Sequence, residues 1–156
     1  MSIRADAESL RHIALFRDCD PVALQVMAFA AERQNFMPGE NIITEGQAAG
    51  AAFFIMSGEA SVQSKHQEIA RAEPGSMLGE TAMISKARYA VSAVANTPVQ
   101  CARIDQALFL RVVVEYPDFG RAVAMALSKR LEQSMRELDS VRSMIGKGRG
   151  FSDLQK

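Results

Sequence analysis

The chain has 156 residues, 48% of them hydrophobic, and eighteen Lys plus Arg balance eighteen Asp plus Glu. That supplies the apolar material for the core of one domain, while nothing in the balanced net charge speaks for general affinity to nucleic acid or anionic membrane, so any anion has to be caught locally. The N-terminus MSIRADAESLRHIALF lacks a basic start followed by a long apolar core and a small-residue cleavage site, and no run approaches membrane-spanning length, which predicts a soluble cytoplasmic protein.

In chain order, residues 7–16 carry a helical pattern that puts Leu10, Ile13, Ala14 and Phe16 near one face, and Asp20-Pro21 opens a second helix through VALQVMAFAAE. After Glu32 the texture changes to short β-branched and aromatic runs: RQNFMPGE, NIITEGQ, AAFFIMSGEASVQS and HQEIARAEPGS. Pro38-Gly39, Glu45-Gly46, Ser57-Gly58 and Pro74-Gly75 fall where an antiparallel sheet must turn. YAVSAVANTPVQCARI continues the sheet as two strands broken at Asn96 to Pro98. Asp105 caps a further helix, DQALFLRVVVEY, which Pro117 ends while starting the last one. In that last helix Ala124, Leu127, Leu131, Ser134, Leu138, Val141 and Ile145 alternate spacings of three and four, the seam of a left-handed coiled coil, with Lys129, Arg130, Glu132, Arg136, Glu137 and Asp139 beside it. The seam predicts helix pairing and a homodimer. GKGRG reads as a glycine-rich helix stop and FSDLQK as a frayed tail.

Cys19 and Cys101 lie far apart in apolar contexts, the pattern of reduced core thiols. His12 and His66 sit in no CxxC or HExxH spacing, so neither a metal site nor a cofactor is expected. No nucleophile, base and orienting group stand at recognisable spacing, which argues against an enzyme.

The segment GSMLGETAMISKARYAVSAVA, residues 75–95, holds the candidate binding chemistry. If Glu80 to Ser85 form one helical turn, the free N–H groups around Gly79, Glu80, Thr81 and Ala82 converge on one spot with a favourable dipole behind them. Gly79 lets the backbone approach a ligand without a Cβ.

Leu15 to Asp20, the turns PGE, EG and FFIMSGE, the loop PGSMLGETAMI and the helix EYPDFGRA occur in an order that resembles the cyclic nucleotide-binding domain family, which includes catabolite-activator-like sensors and protein kinase A regulatory subunits. The resemblance covers about residues 10–138 and implies an α+β, mainly β fold: an antiparallel β jelly-roll with N-terminal helices and two C-terminal helices. It implies a domain over residues 1–146, with helices over 7–31, a β-roll over 32–104, helices over 105–145, and a flexible tail over 147–156. The implied ligand is cyclic AMP or cyclic GMP. Glu80 would accept from the ribose hydroxyl, and an arginine entering the next strand would clamp the phosphate with a two-pronged guanidinium.

Here the chain departs from the family pattern. Aligned without gaps, Arg88 falls in the slot before the arginine, Tyr89 in the arginine slot and Ala90 after it. Neighbours on a strand point to opposite faces, so Arg88 would turn away and Tyr89 would offer one neutral hydroxyl. With a loop one residue shorter, Arg88 itself fills the slot and a bulge in YAVSAVA absorbs the difference. Ser134 matches a small polar residue that reaches the base in catabolite-activator-like proteins; equally, it is a polar seam residue that sets helix register.

Two functions follow, the first the expected one and the second its alternative. One is a stand-alone cyclic nucleotide sensor that signals through its C-terminal helix to an effector protein, since the chain leaves no room for a DNA-binding, kinase or channel domain. The other is a ligand-free dimerisation and interaction module that kept the jelly roll and lost its arginine clamp.

Overall fold

The computed structural model describes residues 3–147. The chain opens with α1 (Ile3–Arg11), a separate 3-10 turn (Ala14–Phe16) and α2 (Pro21–Ala30). A single helix through Phe16 is therefore corrected: after Arg11 the chain bends, Ala14 is exposed, and Leu15 is buried beside Phe16 in its place. Asp20 starts α2 as its sequence suggests, its carboxylate accepting from the Val22 amide at 2.9 Å, with Pro21 in the first helical position.

Eight strands follow: β1 (Glu32–Phe36), β2 (Asn41–Ile43), β3 (Ala51–Ser57), β4 (Ala60–Ser64), β5 (Gln67–Ala72), β6 (Met77–Leu78), β7 (Ser92–Ala95) and β8 (Val99–Asp105). They form two antiparallel four-stranded sheets, ordered β1-β8-β3-β6 and β2-β7-β4-β5, the double layer of a jelly roll. Long-range pairing of β1 with β8 closes the roll.

Strand β3 explains why AAFFIMS is apolar without alternation. Ala51, Phe53 and Ile55 face the interior of the roll with Leu78, Ala93, Val99 and Cys101. Ala52, Phe54 and Met56 face the helices with Leu24, Met27, Ile104, Phe109 and Phe119. Both faces are covered, so both need apolar side chains.

The four turn glycines all have positive φ. Gly58 is the most constrained, because a Cβ there would collide with the Pro98 carbonyl and sit 2.9 Å from Val99. The glutamates beside these turns staple them. Glu40 accepts from the Met37 amide at 2.9 Å, Glu45 from the Lys65 amide at 3.2 Å, and Glu59 from Asn96 at 3.2 Å.

Asp105 caps α3 (Gln106–Glu115) by accepting from the Leu108 amide at 2.8 Å, and α4 (Pro117–Lys147) follows directly. Phe119 anchors its start, 5.9 Å from Phe16 and 5.7 Å from Phe109 between ring centroids. Beyond Leu127 the helix leaves the core, and Leu131, Leu138, Val141 and Ile145 are all exposed. Gly146 does not stop α4, which continues to Lys147. The expected tail lies, apart from Lys147, outside the described residues.

Burial pushes the Cys101 thiol up from 9.0 to about 12. Burial, with a smaller contribution from the Asp18 carboxylate, pushes Cys19 up to about 11. Both thiols stay protonated and inert near neutral pH.

Candidate functional site

Strand β6 delivers the chain to Gly79, which adopts the left-handed conformation (φ 65°, ψ 37°) and turns it into a 3-10 segment, Glu80–Met83. The expected helical turn to Ser85 is thus wound as a 3-10 segment and ends at Met83. Ala82 and Met83 bury their side chains and hold the segment against the core, while the Ala82 amide donates to the Gly79 carbonyl at 2.9 Å. Thr81 and Glu80 remain on the outer side, Thr81 exposed and Glu80 half-buried.

Residues 87–89 run beside the loop between β2 and β3. The Ala49 amide donates to the Ala87 carbonyl at 3.2 Å, the Tyr89 amide to Gln47 at 3.0 Å, and the Gly46 amide to the Tyr89 carbonyl at 2.9 Å. This pairing sets the facing of each side chain. Arg88 turns outward, and its guanidinium donates to the Gly46 carbonyl at 2.6 Å. Tyr89 turns inward over Gly79: a Cβ built on that glycine would lie 2.7 Å from the tyrosine Cε1 and 3.2 Å from Cδ1. The Tyr89 hydroxyl donates to the Ala51 carbonyl at 2.6 Å and accepts from the Ala51 amide at 3.3 Å.

Strand β7 pairs with β4 in unbroken register from Ser92 to Ala95, and the register shift in this sheet region lies in β2, between Asn41 and Ile43. There is accordingly no bulge within Ser92–Ala95 to absorb a shortened loop. Ala90 is exposed after the inward tyrosine.

The Glu80 carboxylate is engaged by a residue that sequence reasoning treated only as a flanking charge. Arg130 of α4 reaches it at 2.9 Å, with side-chain exposures of 50% for Arg130 and 26% for Glu80. At that exposure the pair contributes under about 1 kcal/mol, but it ties the loop to the last helix. Ser134 lies one turn further along α4 and is exposed. Its four-residue spacing from Arg130 was the available signal, since it places both on one helical face.

The structure thus gathers Gly79, Glu80, Tyr89 and Arg130 into one locus and directs Arg88 away from it. Chemically the locus offers a glycine face covered by an aromatic ring, a neutral hydroxyl already satisfied by backbone, and a carboxylate neutralised by α4. Among the described residues, no group of three His, Cys, Asp or Glu could hold a metal ion, and no helix is long and apolar enough to cross a membrane.

Residues 33–116 match the model of the cyclic nucleotide-binding domain. The chain is 30% identical over 119 residues to the human potassium/sodium hyperpolarization-activated cyclic nucleotide-gated channel 1, which covers 76% of this chain but only 13% of the channel. A solved cyclic nucleotide-binding-like protein from Brucella abortus bv. 1 str. 9-941 is 30% identical, with a TM-score of 0.64 over 70% of this chain and 97% of its own. The sensor domain of the transcriptional regulator DNR from Pseudomonas aeruginosa shares the fold at 24% identity, with a TM-score of 0.67 over 86% of this chain and 94% of its own.

Proposed function

This chain is a member of the cyclic nucleotide-binding domain family, and we propose that it is a regulatory module whose nucleotide seat is filled by its own Tyr89 and whose output is the placement of α4. The observation that carries the reading is the contact of the tyrosine ring with Gly79, with the hydroxyl anchored on Ala51. A phosphate approaching the Gly79 face meets ring carbon instead of a guanidinium. Each missing charge-assisted hydrogen bond weakens binding by roughly 1.5–3 kcal/mol, so losing a two-pronged clamp lowers affinity by two decades or more.

In this reading the closed seat and α4 form one device, linked by Glu80 and Arg130. The exposed stripe of Leu131, Leu138, Val141 and Ile145 supports pairing with a second copy along α4, with Ser134 as a polar register residue. An effector protein would read the paired helices. The two free, buried cysteines support work in a reducing compartment such as the cytoplasm.

A second reading, the cyclic nucleotide sensor, is favoured by the left-handed Gly79 and by Glu80 at the mouth of the turn. There cyclic AMP or cyclic GMP displaces the Tyr89 ring and takes Glu80 from Arg130, which shifts the population of α4 positions. Thermal unfolding with millimolar cyclic AMP and cyclic GMP separates the two. The closed-seat reading expects no rise in midpoint for the native chain and a rise for Tyr89→Arg; a saturable rise for the native chain establishes the sensor.

A further inference from the structure

A cleft of about 610 Å³ lies between the 3-10 turn after α1 and the side of α4 and shares only Arg130 with the Gly79 locus. Its α4 wall begins at Asp118 and ends at Gln133, so at 1.5 Å per residue it runs along roughly 22 Å of helix. The floor is apolar and low, built by Ala122, Met125 and Ala126. The two alanines leave room for a flat body to lie against the helix, beside the exposed Met125 side chain.

The charges around this floor are unequal. Arg17 comes from the loop after the 3-10 turn, Lys129 and Arg130 from α4. Arg121 is already matched by Asp118 at 3.3 Å. Among the described residues, Arg17 and Lys129 form no ion pair, and Asp18 is the one remaining carboxylate of the cleft. While Arg130 is paired with Glu80, Arg17 and Lys129 against Asp18 leave an excess of one positive charge; once Arg130 turns from Glu80 into the cleft the excess is two, which matches a dianion. Two guanidinium forks and an ammonium suit the three terminal oxygens of a phosphate monoester better than the two of a carboxylate. The volume falls within the usual range for small-molecule sites.

We propose that this cleft binds a small organic phosphate monoester, its head held by Arg17, Lys129 and Arg130 and its apolar body resting on Ala122, Met125 and Ala126. Arg130 also holds Glu80 at 2.9 Å, so an occupied cleft competes with the Gly79 loop for one guanidinium. Binding in the cleft does not depend on whether the Gly79 seat accepts a nucleotide; only the competition with Glu80 connects the two.

Phenyl phosphate is the test probe, titrated into the full chain at low salt and followed by amide chemical shifts and calorimetry. Saturable binding with a Kd on the order of 1 mM is expected for a ligand of this size, with shifts centred on residues 17 and 122–130. Arg17→Gln and Lys129→Gln should each weaken it by about fivefold or more, whereas Arg142→Gln, on an exposed and distant part of α4, should leave it unchanged. Glu80→Gln should tighten it by about threefold, because Arg130 is then released to the cleft. Inorganic phosphate should bind about fivefold more weakly than phenyl phosphate, for want of a body to bury. The proposal is overturned by any of three outcomes: no saturation by about 20 mM, equal affinity in the Arg17 and Lys129 variants, or shifts confined to residues 79–89. Equal affinity for inorganic phosphate overturns the role of the apolar floor. All the substituted positions are surface side chains apart from half-buried Glu80, and unchanged unfolding midpoints verify that each variant is folded.

Discussion

Replacing Gly79 by alanine probes the claim that Tyr89 occupies the seat. Two penalties are expected. The left-handed backbone, φ 65°, costs a residue with a Cβ roughly 1 kcal/mol relative to glycine. The new Cβ would also lie 2.7 Å from Tyr89 Cε1, where carbon atoms prefer about 3.5–4.0 Å, so the ring must retreat by about 1 Å. It cannot do so freely, because its backbone is pinned to Gly46 and Gln47 and its hydroxyl to Ala51. Overpacking of a held side chain costs about 1–3 kcal/mol, giving a total near 2–4 kcal/mol. For a domain of this size that lowers the melting midpoint by roughly 5–15 °C. The informative measurement is a double-mutant cycle by urea unfolding. In the Tyr89→Ala background the steric penalty disappears, and Gly79→Ala should cost only about 1 kcal/mol, leaving a coupling of about 1–3 kcal/mol between the two positions. If the alanine costs the same in both backgrounds within about 0.5 kcal/mol, the ring does not lie on the glycine and the closed-seat argument fails.

Other substitutions address the remaining links. Asp6 is 4% exposed and bonded to Arg33 at 2.8 Å, so Asp6→Asn should destabilise the fold by about 1–3 kcal/mol, read by denaturant titration; a change under about 0.5 kcal/mol would mean that α1 is not held to β1 by this pair. Arg130→Gln should lower stability by less than about 1 kcal/mol yet speed amide exchange along residues 127–137; unchanged exchange would deny the link between Glu80 and α4. Leu131, 63% exposed, lies on the stripe read as a dimer seam. Light scattering should find Leu131→Asp monomeric beside a dimeric native chain, and an equal mass for both would remove the seam.

The thiols make a pH prediction. With the Cys101 value raised to about 12, the unfolded chain releases this proton from about pH 9 while the folded chain keeps it. The folded state then binds more protons, so this contribution to stability is complete below pH 9 and is lost as pH rises toward 12. Cys101→Ala should flatten the fall in stability between pH 8.5 and 10.5 relative to the native chain, and parallel curves would contradict the burial argument.

Much of the architecture was legible because it rests on local chemistry. Asp20-Pro21, Asp105 and Pro117 mark helix boundaries through capping and the geometry of proline, and their positions in space do not alter that preference. Turn glycines at 39, 46, 58 and 75 mark strand ends for the same reason. The apolar run of β3 reads as a strand, while its burial on both faces comes from the structure. Less legible was the break after Arg11, since Leu15 and Ala14 both fit a helical face until the bend decides which is buried. The ion pair between Glu80 and Arg130 joins residues fifty positions apart, and the spacing of Arg130 from Ser134 points to the arginine but not to its partner.

The sequence by itself determined that a glycine–glutamate turn would stand in the loop after the strand-forming run HQEIARAEPGS, and that an arginine and a tyrosine would follow it. Only the tertiary structure decided which of those two faces the turn. Along an extended chain, a slip of one residue exchanges the two faces, and the register here is set by hydrogen bonds from residues 87 and 89 to the distant loop at 46–49. That pairing directs Tyr89 onto Gly79 and Arg88 toward the Gly46 carbonyl, so the character of the seat follows from a contact between two loops more than from the residues that line it.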